Sequence, residues 1–147
     1  MSRIAKFMVF AYIFCIGLSC TAEPGDGELL DAAKQGTRLL TQFVSEYELA
    51  AQPADCTRLL GQYTERWKSE ITPLQLKGLE KKGNVSELLV NKQFEKKYPK
   101  VADEFRDVFR KVHETGKRRA AFCSADPAYK KAQERAWRTF LGLRERN

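Results

Sequence analysis

Apolar residues recur every three or four positions along nearly all of the chain beyond residue 27, the spacing of helices with one face against a core. Leu29, Leu30, Ala33, Leu40, Val44 and Tyr47 form the first stripe and predict a helix from Gly27 to about Ala51. Pro53 bars its continuation, because the residue before a proline is pushed out of the helical region. Asp55 stands where a second helix would be capped, and its stripe is Cys56, Leu59, Leu60, Tyr63 and Trp67. Thr72-Pro73-Leu74-Gln75 has capping-box spacing with proline at the first helical position, and Gly83 suits the stop of that third helix. Asn84-Val85-Ser86-Glu87 repeats the cap pattern before Leu88, Leu89 and Phe94, and Pro99 breaks the chain again. A further stripe, Val101, Phe105, Val108, Phe109 and Val112, extends through Gly116 to Cys123. Asp126-Pro127 caps a last helix carrying Tyr129, Ala132, Ala136, Trp137 and Phe140. No stretch alternates with period two for long, so no pair of strands is indicated. The expected fold is all-α, a compact bundle of five to six helices over residues 28–147, following an N-terminal signal sequence.

The signal changes what belongs to the fold. Arg3 and Lys6 precede an uncharged apolar run of 12 residues, Phe7 to Leu18. A membrane span needs about 20 residues, so the run fits the apolar region of a secretion signal. Two cleavage readings stand. Cys20-Thr21-Ala22 offers small residues for cutting before Glu23. Ile16-Gly17-Leu18-Ser19-Cys20 resembles a bacterial lipobox, with Gly17 where leucine is usual. That resemblance implies cleavage before Cys20 and its lipidation, and Thr21 after it implies an outer-membrane address. Residues 1–22 are thus assigned to the signal and 23–27 to a flexible lead, and the product is periplasmic, anchored as a lipoprotein, or otherwise secreted.

Either cut leaves Cys56 and Cys123 in the folded domain. An exported chain tolerates a disulfide, and two cysteines allow one pairing. The bond would join the start of the second helix to the end of the long one, bringing those ends together.

Charge separates the halves. The chain carries 26 Lys and Arg against 19 Asp and Glu, a net charge of +7. Residues 23–91 hold 8 basic and 11 acidic side chains, whereas residues 92–147 hold 16 and 8. The basic residues cluster as Lys96 and Lys97, Lys117-Arg118-Arg119, and Lys130 and Lys131, with Arg144 and Arg146 in the tail. This surface is a candidate for an anionic partner, attracted over a screening length of about 8 Å at physiological salt. Outside the cytoplasm such partners are lipid, acidic polysaccharide or acidic protein, and nucleic acid is not expected.

Few side chains suit catalysis. Met1 and Met8 leave with the signal, and no C-x-x-C-H sequence exists, so haem ligation is not expected. A zinc site needs three or four ligands, and His113 is the one histidine. Its place after Val112 and four residues beyond Phe109 suits packing or the surface better than a nucleophile's base. Asp103, Glu104 and Asp107 alternate with Arg106, Arg110 and Lys111, the pattern of a solvated, salt-bridged helix face. No cofactor, metal or catalytic residue is assigned.

The expected function is therefore a small exported binding or adaptor protein for another envelope or exported protein. In architecture, without a shared residue motif, it is similar to the pilotin lipoproteins that escort secretin subunits. That similarity implies an apolar groove for a partner segment, with Leu74, Leu76 and Leu79 as candidate lining. The alternatives are an inhibitor or immunity protein covering the acidic site of an exported toxin or hydrolase, and an envelope enzyme using a carboxylate. An apolar groove would favour the adaptor, and a protruding basic ridge the inhibitor.

Overall fold

A computed structural model describes residues 26–78 and 92–142. The expected signal, most of the expected lead, Gly83, Asn84, Leu88, Leu89, Arg144 and Arg146 lie outside these residues. The described chain is helical and contains no strand: α1 Asp26–Glu48, α2 Pro53–Glu70, α3 Thr72–Gly78, α4 Lys92–Lys97, α5 Pro99–Cys123 and α6 Tyr129–Phe140. The four long helices form the bundle, and α3 and α4 close its far end.

Local chemistry sets the ends. α1 stops at Glu48, short of the expected Ala51, where the Leu49 and Ala50 N–H groups turn back to the Glu46 and Tyr47 carbonyls. Asp26 and Gly27, expected in the lead, form its first turn. Pro53 opens α2 from a φ already suited to a helix. Asp55 is not the cap residue: it lies in the first turn, and its Oδ2 accepts the Gln52 N–H at 3.1 Å. Pro99 likewise opens α5, with Tyr98 as the cap separating it from α4. Asp126 and Pro127 do not cap α6 as expected: Ala128 is the cap residue, and Asp126 Oδ1 accepts the Ala128 N–H at 3.0 Å in the turn before it.

Contacts along the helices give their directions. Phe43 meets Tyr63 with ring centroids 5.2 Å apart, and Arg66 reaches Gln42 at 3.2 Å, so α1 and α2 run antiparallel. Gly36 lies against Phe105, while Glu48 bonds to Thr115 and Arg118. Hence α1 and α5 run in the same direction. Arg135 pairs with Glu65 at 3.0 Å and Phe140 stacks on Trp67 at 5.2 Å, so α2 and α6 are also parallel. One end of the bundle thus collects the C-termini of α1 and α5 and the N-termini of α2 and α6. The other end holds the start of α1, with α3 and α4.

The core is aromatic. Trp67 and Tyr63 are fully buried, and Trp67 takes Phe109 edge-on at 6.2 Å and Phe140 at 5.2 Å. Burying each such side chain contributes roughly 1.5–3 kcal/mol. Gly36 makes this possible: a Cβ there would stand 3.0 Å from Phe105 Cε2 and 3.2 Å from Trp67 Cη2. The missing side chain lets α1 sit directly on the two rings. All five residues of the expected α2 stripe are buried. On α1 the buried arc is wider than expected and takes in Ala32, Leu39 and Phe43, because α2, α3 and α5 all pack against that helix.

Candidate functional site

The Cys56 and Cys123 sulfurs are 2.13 Å apart, with Cα atoms 5.8 Å apart, so the pair expected from export stands at disulfide distance. Both residues are fully buried. They tie the first turn of α2 to the last residue of α5, and they define the disulfide end of the bundle.

That end is held by polar contacts that the sequence pattern did not single out. Arg118 pairs with Glu48, whose carboxylate also accepts from buried Thr115 at 3.4 Å. Arg119 donates to the Ala50 carbonyl and lays its guanidinium over the Phe122 ring, 4.4 Å from the centroid. Tyr47 and Tyr129 share a buried hydroxyl–hydroxyl bond of 3.2 Å, and Gln133 donates to Tyr129 at 2.9 Å. Burial pushes the Tyr47 phenol far above its ordinary range, with the Tyr129 hydroxyl adding to the effect. Tyr63 is pushed up to about 12, first by burial and then by the Glu46 carboxylate. Asp126 is held below the usual carboxylate range by the Thr57 hydroxyl and the Ala128 N–H.

The basic residues expected to form one anionic-partner surface fall into two groups. Lys117, Arg118, Arg119, Lys130 and Lys131 gather at the disulfide end, from the last turns of α5 and the first turn of α6. Lys96 and Lys97 sit on α4, before α5, and Lys97 Nζ lies 5.7 Å from the Tyr98 ring. At a rise of about 1.5 Å per residue, the helix from Pro99 to Lys117 puts roughly 27 Å between the groups. Within the first group, Arg118 and Arg119 are engaged in holding α1 and its loop. Lys117, Lys130 and Lys131 point outward and are exposed.

A second surface feature is a groove of about 450 Å³ between the parallel helices α1 and α5. It is lined by Thr37, Thr41, Val44, Ser45 and Glu48 on one side and Glu104, Asp107, Val108 and Lys111 on the other. Thr37 and Thr41 donate their hydroxyl hydrogens to the Ala33 and Thr37 carbonyls, at 2.8 and 2.7 Å. Both hydroxyls therefore turn lone pairs outward. Of the three carboxylates beside them, Glu48 is engaged by Arg118 and Thr115 and Asp107 by Arg110, whereas Glu104 makes no ion pair among the described residues, and Lys111 supplies a donor. The groove thus mixes polar side chains with the apolar Val44 and Val108, and it lies away from the leucines expected to line an apolar one. Leu74 packs half-buried against the core, and the Leu76 side chain and Leu79 lie outside the described residues.

The remaining candidates take structural places. Asp103 pairs with Arg106 at 3.4 Å, Asp107 with Arg110 at 2.9 Å, and Arg106 also reaches Glu95 at 3.0 Å, a salt-bridged face as the spacing suggested. His113 is exposed and packs edge-on against Trp137, ring centroids 5.7 Å apart. Among the described residues no helix is long and apolar enough to cross a membrane, and no group of three or more His, Cys, Asp or Glu side chains converges as metal ligands would. Comparison with protein-family models, with curated proteins and with solved structures returns no match.

Proposed function

We propose that the protein is an exported binding or adaptor module of the cell envelope that takes a segment of a partner protein along the α1–α5 groove. The observation that carries this reading is the groove itself. Two parallel helices flank it, and the Glu104 carboxylate, which makes no ion pair among the described residues, together with the Thr37 and Thr41 hydroxyls offers acceptors to a segment that carries hydrogen-bond donors, while Glu48 and Asp107 already pair with Arg118 and Arg110. The partner on this reading is a donor-bearing stretch of another envelope or exported protein. The plan remains similar to that of pilotin lipoproteins, with a recognition surface that mixes polar and apolar side chains.

The test is capture from the native host envelope with wild type and with Ser45→Arg, which places bulk and positive charge in the groove. Ser45 is exposed, so the substitution leaves the core alone. Wild type should retain one stoichiometric protein partner, and Ser45→Arg should lose it by tenfold or more. Equal capture by the two proteins would overturn the groove reading.

The inhibitor alternative draws on a different observation, the guanidinium of Arg119 held over Phe122 beside exposed lysines. Arginine and aromatic anchors of this kind dominate tight interfaces. Under that reading the captured partner is a hydrolase or toxin, and its activity falls on binding.

A further inference from the structure

We propose that the disulfide end is a docking surface for anionic lipid bilayers, an inference independent of the groove. Leu49 is 80% exposed and Phe122 38% exposed, and these are the exposed large hydrophobic side chains among the described residues. Both lie at this one end. Leu49 follows the last residue of α1, and Phe122 precedes the disulfide cysteine that ends α5. Arg119 links them, through the Ala50 carbonyl on one side and the Phe122 ring on the other.

Cationic side chains surround this apolar tip. Residues 48–58 and 116–131 carry six basic and three acidic side chains. The acids already have partners: Glu48 has Arg118, Asp55 has Arg58 and the Gln52 N–H, and Asp126 has the Ala128 N–H. Lys117, Lys130 and Lys131 are exposed and make no ion pair with the described residues. Apolar side chains that project from a basic rim are what binding to an anionic lipid interface requires: the first enter the headgroup boundary and the second meet the phosphates.

The small size of the apolar tip favours a bilayer over a protein. A stable protein interface covers roughly 800 Å² on each partner around a buried anchor. Two exposed side chains fall short of such a core, yet they suffice to set the depth of an electrostatically held interfacial contact. An acidic polysaccharide would leave Leu49 without a role. Contact through this end stands the bundle on its long axis, with the start of α1 about 35 Å away. The α1–α5 groove then runs up the side, open to a partner.

The test uses protein purified from its host in its natural N-terminal form, carrying Leu49→Trp as a reporter. Vesicles of phosphatidylcholine containing about one-third phosphatidylglycerol are compared with phosphatidylcholine alone. On the anionic vesicles the reporter emission should shift to the blue and be quenched by brominated acyl chains. The shift should fade as salt is raised. Lys117→Gln, Lys130→Gln and Lys131→Gln should each weaken binding about fivefold. Sedimentation of the protein without the reporter, with and without Phe122→Ser, keeps the test valid if Leu49→Trp folds poorly. No blue shift on anionic vesicles, an equal shift on both kinds, or wild-type binding by the lysine variants would overturn the proposal. Binding to polyglutamate without binding to vesicles would overturn it in favour of an acidic polypeptide.

Discussion

Replacing Gly36 with alanine pits two known effects against each other, and the structure decides which wins. Glycine inside a helix costs roughly 0.5–1 kcal/mol relative to alanine, so Gly→Ala at an open helical site stabilises by about that much. At Gly36 the new methyl would stand 3.0 Å from Phe105 Cε2, and 3.2 and 3.5 Å from Trp67 Cη2 and Cζ3. Phe105 is 1% exposed and Trp67 0%, so neither ring has solvent to retreat into. Overpacking of this kind costs typically 1–3 kcal/mol. The net expectation is a loss of about 1 kcal/mol, with Tm lower by roughly 4 °C for a domain of this size. Gly61 and Gly116 supply the controls, because a Cβ at either meets nothing within 4 Å. Gly61→Ala and Gly116→Ala should each raise stability by roughly 0.5–1 kcal/mol. Urea unfolding followed by circular dichroism measures all three. If Gly36→Ala stabilises as much as the two controls, then α1 does not pack on Phe105 and Trp67 as described.

Other consequences follow from the same contacts. Removing the Cys56–Cys123 link opens a loop of 67 residues, so a Cys56→Ala, Cys123→Ala double variant should lose about 4 kcal/mol by loop-closure entropy. Intact mass after alkylation without reductant should show both thiols of the wild type unmodified. Tyr47 and Tyr63 hold their protons above the ordinary tyrosine range. Their stabilising contribution is therefore complete below the unfolded value near pH 10 and is lost as pH rises above it. In ultraviolet titration, ionisation of these two phenols should coincide with loss of the circular dichroism signal, and smooth ionisation of every tyrosine at pH 10 in the folded protein would refute their burial. Asp126 has the opposite sign: its carboxyl is lowered, so its contribution is present above about pH 4 and is lost as pH falls. Asp126→Asn should flatten the dependence of Tm on pH between roughly 5 and 2, and an unchanged acid limb would show that the Thr57 and Ala128 contacts carry no stability.

Helix class and most helix ends were legible because they depend on local chemistry. Pro53 and Pro99 mark boundaries through backbone rules that need no knowledge of the partner helices. The α2 stripe is legible because its hydrophobic residues all face one side, with Trp67 at the centre of the core. Gly36 was not legible, because a close approach appears in a sequence only as the lack of a side chain. Nor was the parallel course of α1 and α5, which depends on how the helices pack rather than on any one stripe. The groove depends on that course, whereas Leu74, one of the three leucines expected to line a groove, packs against the core. The basic clusters were visible as charges. That Arg118 and Arg119 are engaged by Glu48 and Ala50 rests on contacts about 70 residues apart in the chain.

The most direct test of the central claim is site-specific photocrosslinking in the native envelope, with a benzophenone side chain at Ser45 in the groove and, separately, at Glu134 on the exposed side of α6. One discrete protein adduct is expected from Ser45 and none of the same mass from Glu134. Adducts of equal pattern from both positions, or none from Ser45, would contradict a partner seated between α1 and α5.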